Sequence, residues 1–132
     1  MKRLLLFLST LIVWLPLAVT AVPTPSLSEF YWSPVTLTVN GAPLTNLAGY
    51  RIYYSANPQL PYSQMYEVSN PLATSLPIGE IIHADGEYYA TITAYTTSGL
   101  ESNYSQQISF FLSQGQVQNP NIPAAPLGFG VR

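Results

Sequence analysis

The chain of 132 residues has no cysteine, a single histidine and a single lysine. Without cysteine there are no disulfides, no thiolate nucleophile and no Cys-based metal centre. Any histidine-dependent triad or metal site must use His83, whose neighbours Ile81, Ile82, Ala84 and Asp85 offer neither ligand nor triad spacing. His83 therefore reads as an exposed loop residue. Glu80, Asp85 and Glu87 cluster around one turn and read as a solvated corner rather than a catalytic carboxylate pair. No glycine-rich loop leads from a strand into a helix, so no phosphate cradle is expected. After residue 21, no window of about 12 residues carries a sustained helical apolar stripe free of Pro or Gly. The expectation is a protein with no catalytic residue, no metal and no cofactor.

The one long apolar run stands at the start. Met1-Lys2-Arg3 is a short basic stretch, and Leu4 to Val19 is an apolar segment of 16 residues broken by Pro16. Val19-Thr20-Ala21 supplies a small residue at a cut site, so residues 1–21 read as a secretory signal cleaved after Ala21. The competing reading is an uncleaved N-terminal anchor, for which the run is short of the roughly 20 apolar residues of a spanning helix. No cysteine follows the cut, which excludes a lipid anchor there. Cleavage leaves residues 22–132, enough for one compact core. Two arginines, Arg51 and Arg132, then face six carboxylates, a net charge of −4. No basic patch remains to neutralise phosphates, so neither nucleic acid nor a membrane surface is an expected partner. The expected location is extracytoplasmic: periplasmic, cell-surface or secreted.

What is present is strand and turn. Twelve prolines and eight glycines punctuate segments rich in β-branched and aromatic residues. The pattern predicts strands over Ser28–Trp32, Leu47–Ser55, Gln64–Ser69, Thr74–Ile81, Tyr88–Tyr95 and Gln106–Leu112. Alternation places Tyr50, Ile52 and Tyr54 on one face of the second strand and Arg51 and Tyr53 on the other. In the last two strands Tyr88, Ala90, Ile92, Ala94, Ile108, Phe110 and Leu112 face inward. The expected fold is an all-β antiparallel sandwich.

Three motifs in order are more specific. Trp32-Ser33-Pro34 leads into Gly41-Ala42-Pro43-Leu44-Thr45-Asn46-Leu47-Ala48-Gly49-Tyr50-Arg51-Ile52-Tyr53-Tyr54. Asp85-Gly86-Glu87-Tyr88 leads to Tyr95, and Glu101-Ser102 leads to Ile108. Together these resemble strands B and C, the approach to strand F, and the entry to strand G of bacterial fibronectin type III modules, over residues 28–112. The resemblance implies an immunoglobulin-like sandwich. It gives structural roles to Trp32, as the buried strand B tryptophan, and to Tyr88, as the corner tyrosine whose hydroxyl bonds backbone just upstream.

One feature departs from that family. Only Val22 to Leu27 separates the expected cut site from strand B, too little for a full strand A, so strand A is short or missing. The segment after Leu112, residues 113–132, reads as a Pro- and Gly-containing tail. Within it, residues 124–132 resemble a strand A opening, with Leu127, Phe129 and Val131 in period-2 alternation. Three readings stand open: an unstructured tail or stub of a second module; a tail that folds back to supply strand A to its own domain; or a tail that pairs with strand B of the next molecule, a head-to-tail contact that builds filaments.

The alternation also sends Tyr53, Tyr89, Tyr95 and Phe111 outward on adjacent strands. Aromatic rings with polar tips suit protein contacts and sugar stacking, and they also serve as plain cross-strand pairs. The expected function is an exported, non-catalytic interaction or assembly module, its partner another protein or itself through the tail strand. A small carbohydrate-binding module and a subunit polymerising by tail strand exchange are the alternatives. Asn103-Tyr104-Ser105 fits a glycosylation sequon and is read as chance.

Overall fold

A computed structural model describes residues 28–118 and 130–132. The signal, its cut after Ala21, and Leu127 and Phe129 lie outside the described residues. Among the described residues, eight strands form two antiparallel sheets packed as an all-β sandwich. The larger sheet has the order β3-β2-β5-β6-β7, from Gln64–Val68, Leu47–Ser55, Gly86–Thr96, Ile108–Ser113 and Gln116–Val117. The smaller has the order β4-β1-β8, from Ser75–Pro77, Glu29–Tyr31 and Gly130–Val131.

Strict alternation in β2 and β5 decides which side of the large sheet is core. Tyr50, Ile52 and Tyr54 pair with Ala94, Ile92 and Ala90 across the β2–β5 ladder, and all six point inward. From β6, Ile108, Phe110 and Leu112 join them. The small sheet supplies Phe30 and Leu76, with Trp32 just past β1. Phe30 meets Phe110 edge-on at 5.6 Å, and Trp32 tilts against Tyr50 at 5.2 Å, so aromatic pairs bridge the two layers. Ser28 ties the layers at one end: its carbonyl accepts from the Ile78 amide at 2.9 Å, and its hydroxyl accepts from the Val117 amide at 2.9 Å.

Two expected elements differ. The strand expected over Thr74–Ile81 stops at Pro77 and becomes a 3-10 turn, Ile78–Glu80. Pro77 lacks a donor to continue a ladder. The turn instead lets the amides of Ile81 and Ile82 bond the Ile78 carbonyl and buries Ile78 and Ile82. The large sheet also runs past the expected boundary at Leu112. Gln114 (φ 52°) and Gly115 (φ 73°) form a tight turn, and β7 returns to pair Val117 with Leu112. Two consecutive positive φ values match the twist that a two-residue hairpin needs. The Asp85 carboxylate fixes this turn by accepting from the Gln114 amide at 2.8 Å. Residues 113–117 therefore belong to the sandwich rather than to the tail.

Candidate functional site

Two places gather side chains beyond what packing requires: the outer face of the large sheet and the edge of the small one. On the outer face, β2 presents Arg51 and Tyr53, and β5 presents Thr93 and Tyr95. Residues 101–105 run beside β5. The amides of Ser102 and Ser105 bond the carbonyls of Ala94 and Ile92, each at 2.9 Å. In return the hydroxyls of Ser102 and Ser105 accept from the Ala94 and Ile92 amides, each at 3.0 Å. A regular strand would offer its carbonyls there. Because the serine side chains take over, Asn103 and Tyr104 arch away from the ladder.

Glu101, at the start of that segment, is the hub. Its Oε1 accepts from the Tyr53 hydroxyl at 2.6 Å and from the Thr93 hydroxyl at 2.5 Å, and its Oε2 meets Arg51 at 2.6 Å. Arg51 also reaches Glu67 on β3 at 3.0 Å. Desolvation opposes the Glu101 charge most strongly, but the bonds from Thr93, Tyr53 and Arg51 together outweigh it and hold the carboxyl below its ordinary value. The Arg51 hydrogen bond likewise lowers Glu67. Desolvation, then the bond to Glu101, pushes the Tyr53 hydroxyl up to about 12. Tyr104 stands edge-on to Tyr53, ring centres 5.1 Å apart and planes at 82°, with 43% of its surface exposed. Together Tyr53, Thr93, Glu101, Ser102, Asn103 and Tyr104 line an open depression of about 480 Å³.

The four expected face residues do lie on this outer side but do not make one accessible patch. Tyr95 is 8% exposed. A Cβ on Gly49 would lie 3.1 Å from its ring, and the Arg51 guanidinium stands over the ring, 4.4 Å from its centre. A glycine opposite an aromatic ring gives the ring a seat on the sheet, so Tyr95 is closed to a partner. Tyr53 is half-buried beneath Tyr104 and Glu101. Tyr89 is half-buried toward the other end of β5, its pKa raised chiefly by a hydrogen bond to Glu87. Phe111, opposite Glu87, is 48% exposed. The face thus divides into a polar-aromatic cluster around Glu101 and a separate pair, Tyr89 and Phe111.

The second place is the slot beside β1. Gly130 pairs with Tyr31 and Val131 with Phe30, antiparallel. The main chains of Glu29 and Arg132 exchange both hydrogen bonds, at 2.9 and 3.0 Å. The Arg132 guanidinium bonds the Glu29 carboxylate at 2.7 Å and stands 5.1 Å from the Tyr31 ring centre. That bond is the main cause of a lowered Glu29 pKa. Gly130 lets the Tyr31 ring lie close: a Cβ there would lie 2.7 to 2.9 Å from the ring and hydroxyl, so the Tyr31 side chain would have to move. Val131 packs against the core.

The remaining named residues serve the sandwich. Trp32 is buried, and its indole N–H has no partner among the described residues. The Tyr88 hydroxyl donates to the Ala84 carbonyl at 3.0 Å, while its ring stacks on Phe110 at 5.9 Å. His83 is exposed, and the described residues hold no cluster of three or more metal-ligating His, Asp or Glu side chains. Sequence reading missed Glu101 as a hub and Tyr104 as the partner of Tyr53. The only available signal was the Ser-x-x-Ser spacing of Ser102 and Ser105, which has meaning only once its register against β5 is known. No protein-family model, curated protein or solved structure matches the chain.

Proposed function

We propose that the chain is an exported, non-catalytic interaction and assembly module of fibronectin type III character, working by strand pairing at the edge of its small sheet. One observation carries this reading: the edge of β1 is filled by residues 130–132, drawn from far along the chain. With β8 standing where strand A would be, β8-β1-β4 has the order A-B-E, and β3-β2-β5-β6 has the order C′-C-F-G. The bond from Tyr88 to Ala84 suits the corner tyrosine of that family. A strand docked on a sheet edge makes the same contacts whether it comes from its own chain or a neighbour. A strand from the same chain is always at hand, whereas a neighbour's strand competes for the edge only as protein concentration rises. Dilute chains keep their own strand, and crowded chains exchange it.

The test is solution mass by light scattering after refolding residues 22–132 at millimolar concentration, beside the same protein lacking 130–132. Discrete multimers that vanish with the deletion are expected. Monomers from both proteins would overturn the reading.

A further inference from the structure

We propose that the depression between Tyr53 and Tyr104 binds a neutral sugar ring, with Tyr104 as the stacking platform and Asn103 and Glu101 as hydroxyl partners. The site shares no residue with β1 or β8, so it stands apart from strand exchange.

Three observations point there. First, an aromatic ring is held out rigidly. Ser102 and Ser105 each bind β5 twice, through amide and hydroxyl, and the residues between them arch from the sheet. Tyr53 braces Tyr104 at 82°, so the two rings form a corner with one ring open to solvent. A platform already ordered loses little entropy when a ligand stacks on it. Second, the polar groups around the corner are oriented and partly unspent. Glu101 uses three acceptor sites on Tyr53, Thr93 and Arg51, and a carboxylate has about four. The Asn103 amide is exposed and makes no side-chain hydrogen bond among the described residues. Third, the one cation is spoken for. Arg51 is spent on Glu101 and Glu67, so nothing there attracts an anion, and a neutral hydroxyl-bearing ligand suits the remaining acceptor. A pyranose offers what this lining takes: an apolar C–H face for the ring and equatorial hydroxyls for amide and carboxylate. The depression, about 480 Å³, falls within the usual size of small-ligand sites.

The experiment is calorimetric titration of the protein, residues 22–132, with hexaoses of the cello-, xylo-, laminari- and chito- series. Saturable binding of at least one is expected. Tyr104→Ala and Asn103→Ala should each weaken it by at least about tenfold, Tyr104→Phe should retain it, and Phe111→Ser should leave it unchanged. Circular dichroism reports whether each variant is folded. Asn103 holds nothing in place, so Asn103→Ala carries the test if Tyr104→Ala loses its fold. No binding to any of the four series, or undiminished affinity in a folded Asn103→Ala, would overturn the proposal.

Discussion

The two sheets are built on opposite principles. The large sheet grows by antiparallel pairing of long strands: β2 and β5 share a ladder from Leu47–Thr96 to Ser55–Tyr89, with neighbours on both sides. The small sheet is gathered from three short pieces, residues 29–31, 75–77 and 130–131, each from a different part of the chain. Long ladders with one buried face hold their own register. Short strands hold only where neighbouring layers and side chains add to the pairing. At β1 that support comes from Phe30 against Phe110 on one side and from Arg132 on Glu29 and Tyr31 on the other. Stability therefore concentrates in the large sheet, while the small one depends on support from its neighbours.

Breaking the large sheet should cost most. In Gly49→Ala the new methyl collides with the Val68 carbonyl and presses on Tyr95, so β3 must move off β2. A loss of about 3 kcal/mol is expected, with a matching fall in denaturation midpoint. Next is the small sheet. Deleting residues 130–132 removes the two bonds shared with Glu29 and uncovers core beside Val131. The expected loss is about 2 kcal/mol, from two bonds worth about 0.5 kcal/mol each and a partly buried valine worth about 1 kcal/mol. It should appear as faster hydrogen exchange at Tyr31 and its neighbours and little change at Ile92.

Smaller still is the effect of acid. The carboxyls of Glu29, Glu67 and Glu101 all sit below their ordinary value of 4.5 in the folded chain. Each contributes stability that is complete above 4.5 and is lost as pH falls through the lowered folded value. These groups lie near solvent, which screens the effect. A thermal melt series from pH 6 to pH 2 should show a decline confined to the acid side, and Glu101→Gln should flatten part of it. At the alkaline end Tyr53, raised from 10.0 to about 12, gives the reverse sign: its contribution is whole below 10.0 and lost as pH rises toward 12.

The same contrast explains what could be read from sequence. Leu47–Ser55 was legible to the residue because Tyr50, Ile52 and Tyr54 recur at a period of two, with Arg51 between them, and turn residues mark the ends. The inward sets of β5 and β6 followed from the same period. The hairpin of β6 and β7 was not legible, since Gln114 at positive φ is a less usual turn residue than Asn or Asp. The 3-10 turn after Pro77 looked like continued strand because Ile78, Ile81 and Ile82 are apolar. At the outer face, alternation put Tyr95 on the correct side but carried no information about Arg51 lying on it. Exposure depends on cross-strand neighbours, which period alone does not contain.

The central claim is that residues 130–132 are a docked, exchangeable strand on β1. The chain has no cysteine, so Glu29→Cys with Arg132→Cys introduces the only thiols. Their main chains exchange both hydrogen bonds, a geometry with Cα atoms about 5.5 Å apart and within disulfide reach. The measurement is non-reducing electrophoresis after mild oxidation of protein refolded dilute and refolded at millimolar concentration. A docked, exchangeable strand gives a cross-linked monomer from the dilute sample and a ladder of disulfide-linked multimers from the concentrated one. Free thiols in both samples would contradict it.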